Sequence, residues 1–193
     1  MKREFIMFCG DMTKEEWYQK GGSPPKFEPS LDVEIRLATL DDLDMLRGVV
    51  SGKKLKKFID WFHRGCDLFI AIYENKVIYY QWLAYSDFYD PWSGLTLKPA
   101  DDEVIPIDIY TLPEFKFNDV HLAANYRTIV HCRNKGKYKM ISLCKPEKFP
   151  LLKLLYQRTK FAEVTPLKHI AYRRFFGFLK RHTFNDVMPA GIE

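Results

Sequence analysis

A chain of 193 residues is long enough to bury one substantial core and matches one ordinary domain. Its apolar fraction of 47% and aromatic fraction of 16% exclude a disordered chain. The formal net charge is +5, spread over short clusters at Lys53–Lys57, Arg133–Lys139 and Arg173–His182; this argues against a nucleic-acid footprint and suits acidic partners such as phosphates.

The four cysteines (Cys9, Cys66, Cys132, Cys144) form neither a C-x-x-C pair nor a regular framework, which predicts idle thiols in a reducing compartment. Met1–Glu4 is polar and basic, but the apolar stretch Phe5–Cys9 is too short for a secretory signal, and no stretch approaches the roughly 18 apolar residues of a membrane span. These features predict a cytoplasmic protein.

In chain order, Phe5–Cys9 leads into a small helix around Thr13–Gln19. The breaker run Gly21-Gly22-Ser23-Pro24-Pro25 then reads as a linker. Residues 1–32 are therefore expected to be an extension and linker, 33–182 the main domain, and 183–193 a tail. Val33–Leu37 alternates apolar and charged residues as a half-buried strand does. Thr39 with Asp42 three residues later forms a capping-box pattern, opening a helix whose apolar stripe is Leu43, Leu46, Val49 and Val50. A second helix is predicted over Leu55–Arg64, with Phe58, Ile59 and Phe62 turned inward.

Leu68–Tyr73 and Val77–Tyr85 flank the polar turn Glu74-Asn75-Lys76, a hairpin signature. A loop over Asp87–Asp102 leads to a strand over Glu103–Thr111. Pro106 within it cannot donate to a ladder and implies an edge or a bulge. A long helix from about Asp119 to Asn134 ends at Gly136. Tyr138–Cys144 reads as a strand, Phe149–Thr159 as a helix, and Val164–Phe178 as a final strand or pair of strands. The order implies an α/β (α+β) fold: a mixed, mostly antiparallel sheet of about six or seven strands, one parallel βαβ crossover, and helices on both faces.

That order resembles the Gcn5-related N-acetyltransferase (GNAT) superfamily, and three segments carry the likeness. Ile35-Arg36-Leu37-Ala38-Thr39-Leu40-Asp41-Asp42 resembles the family's first strand and helix start. Tyr110-Thr111-Leu112-Pro113-Glu114-Phe115-Lys116 resembles the end of its fourth strand. Pro150 to Phe161, with Tyr156, resembles its fourth helix, which commonly ends Tyr-x-x-x-Gly-Phe. The likeness covers about residues 33 to 178. It implies a GNAT-like fold, acetyl-CoA or another acyl-CoA as donor, a small amine acceptor, and no metal.

The family's fourth strand runs into a loop patterned Arg/Gln-x-x-Gly-x-Gly/Ala, whose glycines let backbone N–H groups approach the coenzyme A pyrophosphate at a helix N-terminus. The matching stretch here is Lys116-Phe117-Asn118-Asp119-Val120-His121. Lys116 keeps the positive charge, while Phe117, Asp119 and His121 stand at the glycine positions. Asp119 is expected to cap the helix with its own carboxylate, taking the N–H groups a phosphate needs; a protonated His121 would offset the repulsion. By the same likeness the backbone of Ile109 and Thr111 would pair with the pantetheine arm.

Amine acylation needs a proton acceptor for the ammonium and a proton donor for the departing thiolate. Tyr156 matches the family's tyrosine at the thiolate. Glu103, which lies 13 residues before Lys116, resembles the location of a general-base glutamate. Asp108, on the same strand with opposite parity, is its rival, and a bulge at Pro106 would blur the choice. Phe149 replaces a frequent asparagine and Lys160 the glycine before Phe161. The aromatic run Tyr79-Tyr80-Gln81-Trp82, with Tyr85, Phe88, Tyr89 and Trp92, is read half as core and half as acceptor-cleft lining. His63 with Cys66 and His131 with Cys132 complete no metal pattern.

Three readings stay open: an acyl-CoA-dependent N-acyltransferase with an atypical donor site; the same chemistry from an acyl carrier protein, which would engage the basic clusters; and a non-catalytic binding domain on the same fold. The acceptor and the oligomeric state are not encoded in any motif.

Overall fold

The computed structural model describes residues 2–116, 118–175 and 179–186. The strands are β1 (Lys2–Asp11), β2 (Glu34–Leu37), β3 (Asp67–Tyr73), β4 (Lys76–Ala84), β5 (Phe88–Asp90), β6 (Leu95–Leu97), β7 (Glu103–Thr111), β8 (Lys139–Cys144), β9 (Glu163–Phe175) and β10 (Leu179–Asp186). The α-helices are α1 (Glu16–Gln19), α2 (Gly52–His63), α3 (Val120–Asn134) and α4 (Phe149–Thr159), and a 3₁₀ helix covers Asp41–Gly48. Contacts group the chain into two compact units: Met1–Ser23, Ser86–Ile105 and Lys137–Glu193 in the first, Pro24–Tyr85 and Pro106–Gly136 in the second. β7 begins in the first and ends in the second.

In the first unit the strands run in the order β10-β9-β1-β8-β7. β1 is antiparallel to β8 from Ile6↔Cys144 to Asp11↔Lys139, and to β9 from Lys2↔Arg173 to Asp11↔Glu163. The sequence sets residues 1–32 apart, yet Lys2–Asp11 pairs with β9 along its length and Ile6–Asp11 pairs with β8 as well. The reason is legible afterwards. Phe5 packs with Ile170, Met7, Leu95 and Leu143 on one face, while Phe8 packs with Phe149, Cys144, Val164 and Ile6 on the other. A strand covered on both faces carries an unbroken apolar run and loses the alternation that marks a half-buried strand. The expected loop over Asp87–Asp102 also contains a small hairpin, β5 with β6.

α4 lies against β1 through Phe149, whose ring centroid is 5.8 Å from that of Phe8. The helix ends at Lys160, which takes the left-handed conformation (φ +51°) usually given to glycine. The carbonyl of Lys160 accepts from Trp17 Nε1 at 2.6 Å. The final segment is two antiparallel strands, and β10 runs on to Asp186, past the expected domain end.

In the second unit the order is β7-β4-β3-β2. The predicted hairpin forms: Glu74 and Asn75 both take positive φ (48° and 61°), the backbone of a type I′ turn whose twist matches the strands. Ala71, Ile78, Tyr79, Val120 and Ala124 form a core between sheet and α3. The buried Gln81 amide oxygen accepts from Tyr79 Oη at 2.7 Å and Thr128 Oγ1 at 3.4 Å, which pairs these two buried hydroxyls, while the buried Trp82 Nε1 makes no hydrogen bond. Phe58 and Phe62 pack on Trp82, but Ile59 is exposed and not turned inward.

The capping box forms in one direction only. Thr39 donates through its backbone N (2.7 Å) and Oγ1 (3.1 Å) to the Asp42 carboxylate, and the element that follows is 3₁₀, with Leu40 at its N-cap. Arg36 grips the same carboxylate with both terminal nitrogens at 2.7 Å, holding Asp42 well below the usual carboxylate range. α2 starts earlier than predicted, capped by Ser51.

Pro106 lies beyond the last β7–β8 pair, at Val104, so the residue that lacks a donor falls where that ladder has ended. β7 pairs with β8 in parallel at Glu103↔Lys139 and Val104↔Met140, the parallel pair of the predicted crossover through α3. The distortion reading stands, displaced by two residues: Asp108 has φ +44° in mid-strand. Proline removes one ladder donor, and the left-handed residue after it is the mark of a bulge.

Candidate active site

Asp108 is positioned by that irregularity. A non-glycine residue at φ +44° is strained, and aspartate is among the few that tolerate it. Its Oδ1 accepts from Lys54 Nζ, on α2, at 2.9 Å and from Tyr80 Oη, on β4, at 3.4 Å. Lys54 also donates to Tyr80 Oη at 2.6 Å and lies 5.2 Å from the centre of the Tyr80 ring. Burial works to lower the Lys54 pKa, but its bonds to Tyr80 and Asp108 raise it above the ordinary lysine value, so the ammonium persists. The side chains of Lys54 and Asp108 are 36% and 24% exposed, so the ion pair faces solvent. Tyr110 stacks beside Tyr80 with ring centroids 5.7 Å apart and remains partly exposed. Lys54, Tyr80 and Tyr110 carry no motif. Only the packing of α2 on the sheet collects them around Asp108.

Glu103, the rival carboxylate, lies in the first unit and is committed differently. Its Oε2 accepts from Ala100 N at 2.8 Å while its own backbone N donates to Ala100 O at 3.0 Å. The side chain thus closes the turn that starts β7.

The loop after β7 passes through Leu112 and a 3₁₀ turn, Pro113–Phe115, to α3. Phe117 lies outside the described residues. Ile109, Lys116 and Asp119 are exposed, Thr111, Asn118 and His121 half-buried, and Val120 fully buried. Asn118 O receives the backbone N of Ser30 at 3.4 Å, which tethers the loop. Asp119 stands at the N-cap position, yet its carboxylate makes no capping hydrogen bond. This corrects the expectation that it fills the helix end from within. The physical reason is its backbone: at φ +54°, ψ +10° it is left-handed, whereas a capping side chain needs an extended residue to fold back on the first turn. The Asp119 carbonyl still takes Leu122 N and Ala123 N, at 3.0 Å each. Asp119 therefore supplies the φ that a glycine would have supplied. Burial holds His121 below the ordinary histidine value, outweighing the pull of Asp119, so at neutral pH it brings no charge to the loop.

Tyr156, in the first unit, is half-buried against Phe8, Phe149, Cys144 and Val164 and reaches over Gly10 of β1. Burial raises its hydroxyl pKa, which keeps it protonated and able to donate. Of the aromatic run, Tyr79, Tyr80 and Trp82 are core, while Tyr89 and Trp92 are partly exposed. Among the described residues no group of three or more His, Cys, Asp or Glu side chains could hold a metal ion. His131 is spent on Asp67, at 2.6 Å. Burial pushes the thiols of Cys9, Cys66 and Cys144 up to about 11, so they are poor nucleophiles at neutral pH. No helix among the described residues is long and apolar enough to cross a membrane.

No protein-family model matches the sequence, and neither does any curated protein sequence. Solved structures do match. The aminoglycoside N-acetyltransferase AAC(6')-Iy in complex with CoA is 22% identical over 77% of this chain and 99% of its own, with a TM-score of 0.52. The same enzyme with the bisubstrate analogue CoA-S-monomethyl-acetylneamine is 20% identical over 77% of this chain and 98% of its own, also at 0.52. A GNAT-family acetyltransferase structure from Novosphingobium aromaticivorans is 10% identical over 89% of this chain and 63% of its own, with a TM-score of 0.55. At these identities the likeness speaks to backbone architecture alone. The chain has the fold of the Gcn5-related N-acetyltransferases.

Proposed function

We propose that this protein is an acyl-CoA-dependent N-acyltransferase acting on a small amine. The observation that carries the reading is the backbone of Asp119. The loop has lost its glycines but keeps a left-handed residue at a glycine position, and no side chain of that residue occupies the α3 N-terminus. A helix start of this kind suits a pyrophosphate, with Lys116 adding positive charge. The loop residues Asn118, Asp119, Val120 and His121, with Phe117 by sequence position, would line the donor, and the backbone of Ile109 and Thr111 would meet the pantetheine arm.

In this reading Asp108 takes a proton from the acceptor ammonium. The free amine attacks the thioester carbonyl carbon, a C–N bond forms, and the C–S bond breaks. The amide nitrogen loses its second proton to solvent, and the coenzyme thiolate takes one from a protein donor that solvent recharges, the role that the family resemblance assigns to Tyr156 by sequence position. Asp108 is preferred to Glu103 because Glu103 already accepts from a backbone N–H, whereas Asp108 accepts from two side chains, Lys54 Nζ and Tyr80 Oη, that can shift when a substrate arrives.

Acetyl-CoA titrated into the protein tests the donor half. Binding adds stability by mass action, about 2.7 kcal/mol at a hundredfold excess over Kd, and raises the melting temperature. No shift at millimolar acetyl-CoA overturns the proposal. Given binding, Tyr156→Phe is expected to lower turnover while leaving that shift in place; unchanged turnover removes Tyr156 from the chemistry.

A further inference from the structure

The cluster around Asp108 bears on the acceptor's chemical class. This inference rests on the reading of Asp108 as the group that meets the acceptor amine. Before any ligand arrives, Asp108 is neutralised by Lys54 at 2.9 Å, and both side chains are partly withdrawn from water. An acceptor carrying only an ammonium would compete with Lys54 for one carboxylate. It would displace the lysine and leave that ammonium without a counter-ion, held by the Tyr80 hydroxyl at 2.6 Å and by the weaker attraction of the Phe58 and Tyr80 rings, which lie 5.8 Å and 5.2 Å from Nζ. Leaving one member of a partly desolvated ion pair without its partner is costly.

A zwitterion avoids that cost. Its ammonium goes to Asp108 while its carboxylate goes to Lys54, and two charge-assisted contacts replace one. Lys54 also donates to Tyr80 Oη at 2.6 Å, so the ammonium stays anchored when its contact with Asp108 opens. Tyr110, stacked on Tyr80 and 38% exposed, offers an aromatic face beside the pair. A flat or apolar substituent suits that face. The geometry points to an α-amino acid with an apolar or aromatic side chain as the acceptor, with Lys54 as the residue that selects its carboxylate.

The test compares L-phenylalanine with phenethylamine, which differ only by the carboxylate, in calorimetric titrations without acyl donor. Phenylalanine is expected to bind about tenfold tighter, the size of one charge-assisted hydrogen bond. Lys54→Met is expected to abolish the preference, Lys54→Arg to retain it, and Tyr110→Ala to weaken both ligands alike. Equal binding of the two, tighter binding of phenethylamine, or binding of neither overturns the proposal, as does a preference that survives Lys54→Met. Because no donor is present, the outcome is separable from transfer activity. A protein that prefers phenylalanine but never binds acetyl-CoA would overturn the transferase reading alone, and one that acylates other amines without this preference would overturn the acceptor class alone.

Discussion

Two aspartates of the second unit, Asp67 and Asp108, have the same kinds of partner and opposite character. Asp67 Oδ2 accepts from Tyr85 Oη at 2.6 Å, His131 Nε2 at 2.6 Å and Lys135 Nζ at 2.7 Å. Asp108 accepts from one lysine at 2.9 Å and one tyrosine at 3.4 Å. Asp67 opens β3 on ordinary backbone, while Asp108 is left-handed in the middle of β7. A carboxylate closed on three short donors has no capacity to take a proton from a substrate, and it ties β3 to α3. A carboxylate with fewer partners, held on strained backbone, is the more available one. Composition alone does not separate a structural network from a reactive one. Saturation and backbone strain do.

That contrast can be broken most directly at Asp108. Asparagine also tolerates positive φ, so Asp108→Asn removes the charge and spares the backbone. The expected result is a loss of about 10²–10⁴ in kcat/KM for acyl transfer, with an unfolding midpoint close to wild type. Retained activity would return the role to Glu103, through Glu103→Gln.

At Asp67 the opposite split is expected. Asp67→Ala leaves three donors without their acceptor and is expected to cost about 2 kcal/mol in denaturant unfolding, discounted for partial exposure. Burial alone would raise the Asp67 pKa, yet the bonds from Lys135, Tyr85 and His131 hold it below the ordinary carboxylate range. A depressed folded value means its contribution is fully present above about pH 4 and is lost as pH falls through the folded value. The acid limb of the stability curve is therefore expected to be shallower in Asp67→Ala than in wild type. An identical limb would show that the network contributes nothing.

The smallest effect isolates strain from chemistry. Lys160 has φ +51°, close to that of Asp108, but stands at a helix end with its carbonyl held by Trp17. Lys160→Gly is expected to stabilise the protein by about 0.5–1 kcal/mol, read from thermal or denaturant unfolding, with no change in transfer. If it destabilises instead, positive φ costs a side chain nothing at this site, and backbone strain does not distinguish Asp108.

Much of the fold was legible because its signals are local. The β3–β4 hairpin announces itself by Glu74-Asn75 between apolar runs, and α4 by Pro150 at its start. β7 shows the limit of that legibility. Its ends were readable from Glu103 to Thr111, and Pro106 flagged an irregularity, but whether the strand lay at an edge depended on which strands paired with it. The candidate site was legible in part. Asp108 was one of two carboxylates that spacing could not separate, and what separates them is Ala100 N on Glu103 and Lys54 on Asp108. Lys54 is distant in sequence from both Tyr80 and Asp108, so no window along the chain contains the three.

What the sequence by itself determined is the order of the elements from β2 to α4, the β5–β6 hairpin apart, and the crossover through α3. Turn residues, caps and periodicity act over a few neighbours, and so a linear reading can see them. The tertiary structure alone decided that Lys2–Asp11 is a sheet strand with Phe5 buried on one face and Phe8 on the other, that Asp119 leaves the helix end uncapped by its side chain, and which carboxylate stands beside a lysine. Each of these depends on contacts made across the sheet or on a backbone angle that packing imposes, and neither is written in the local residue pattern.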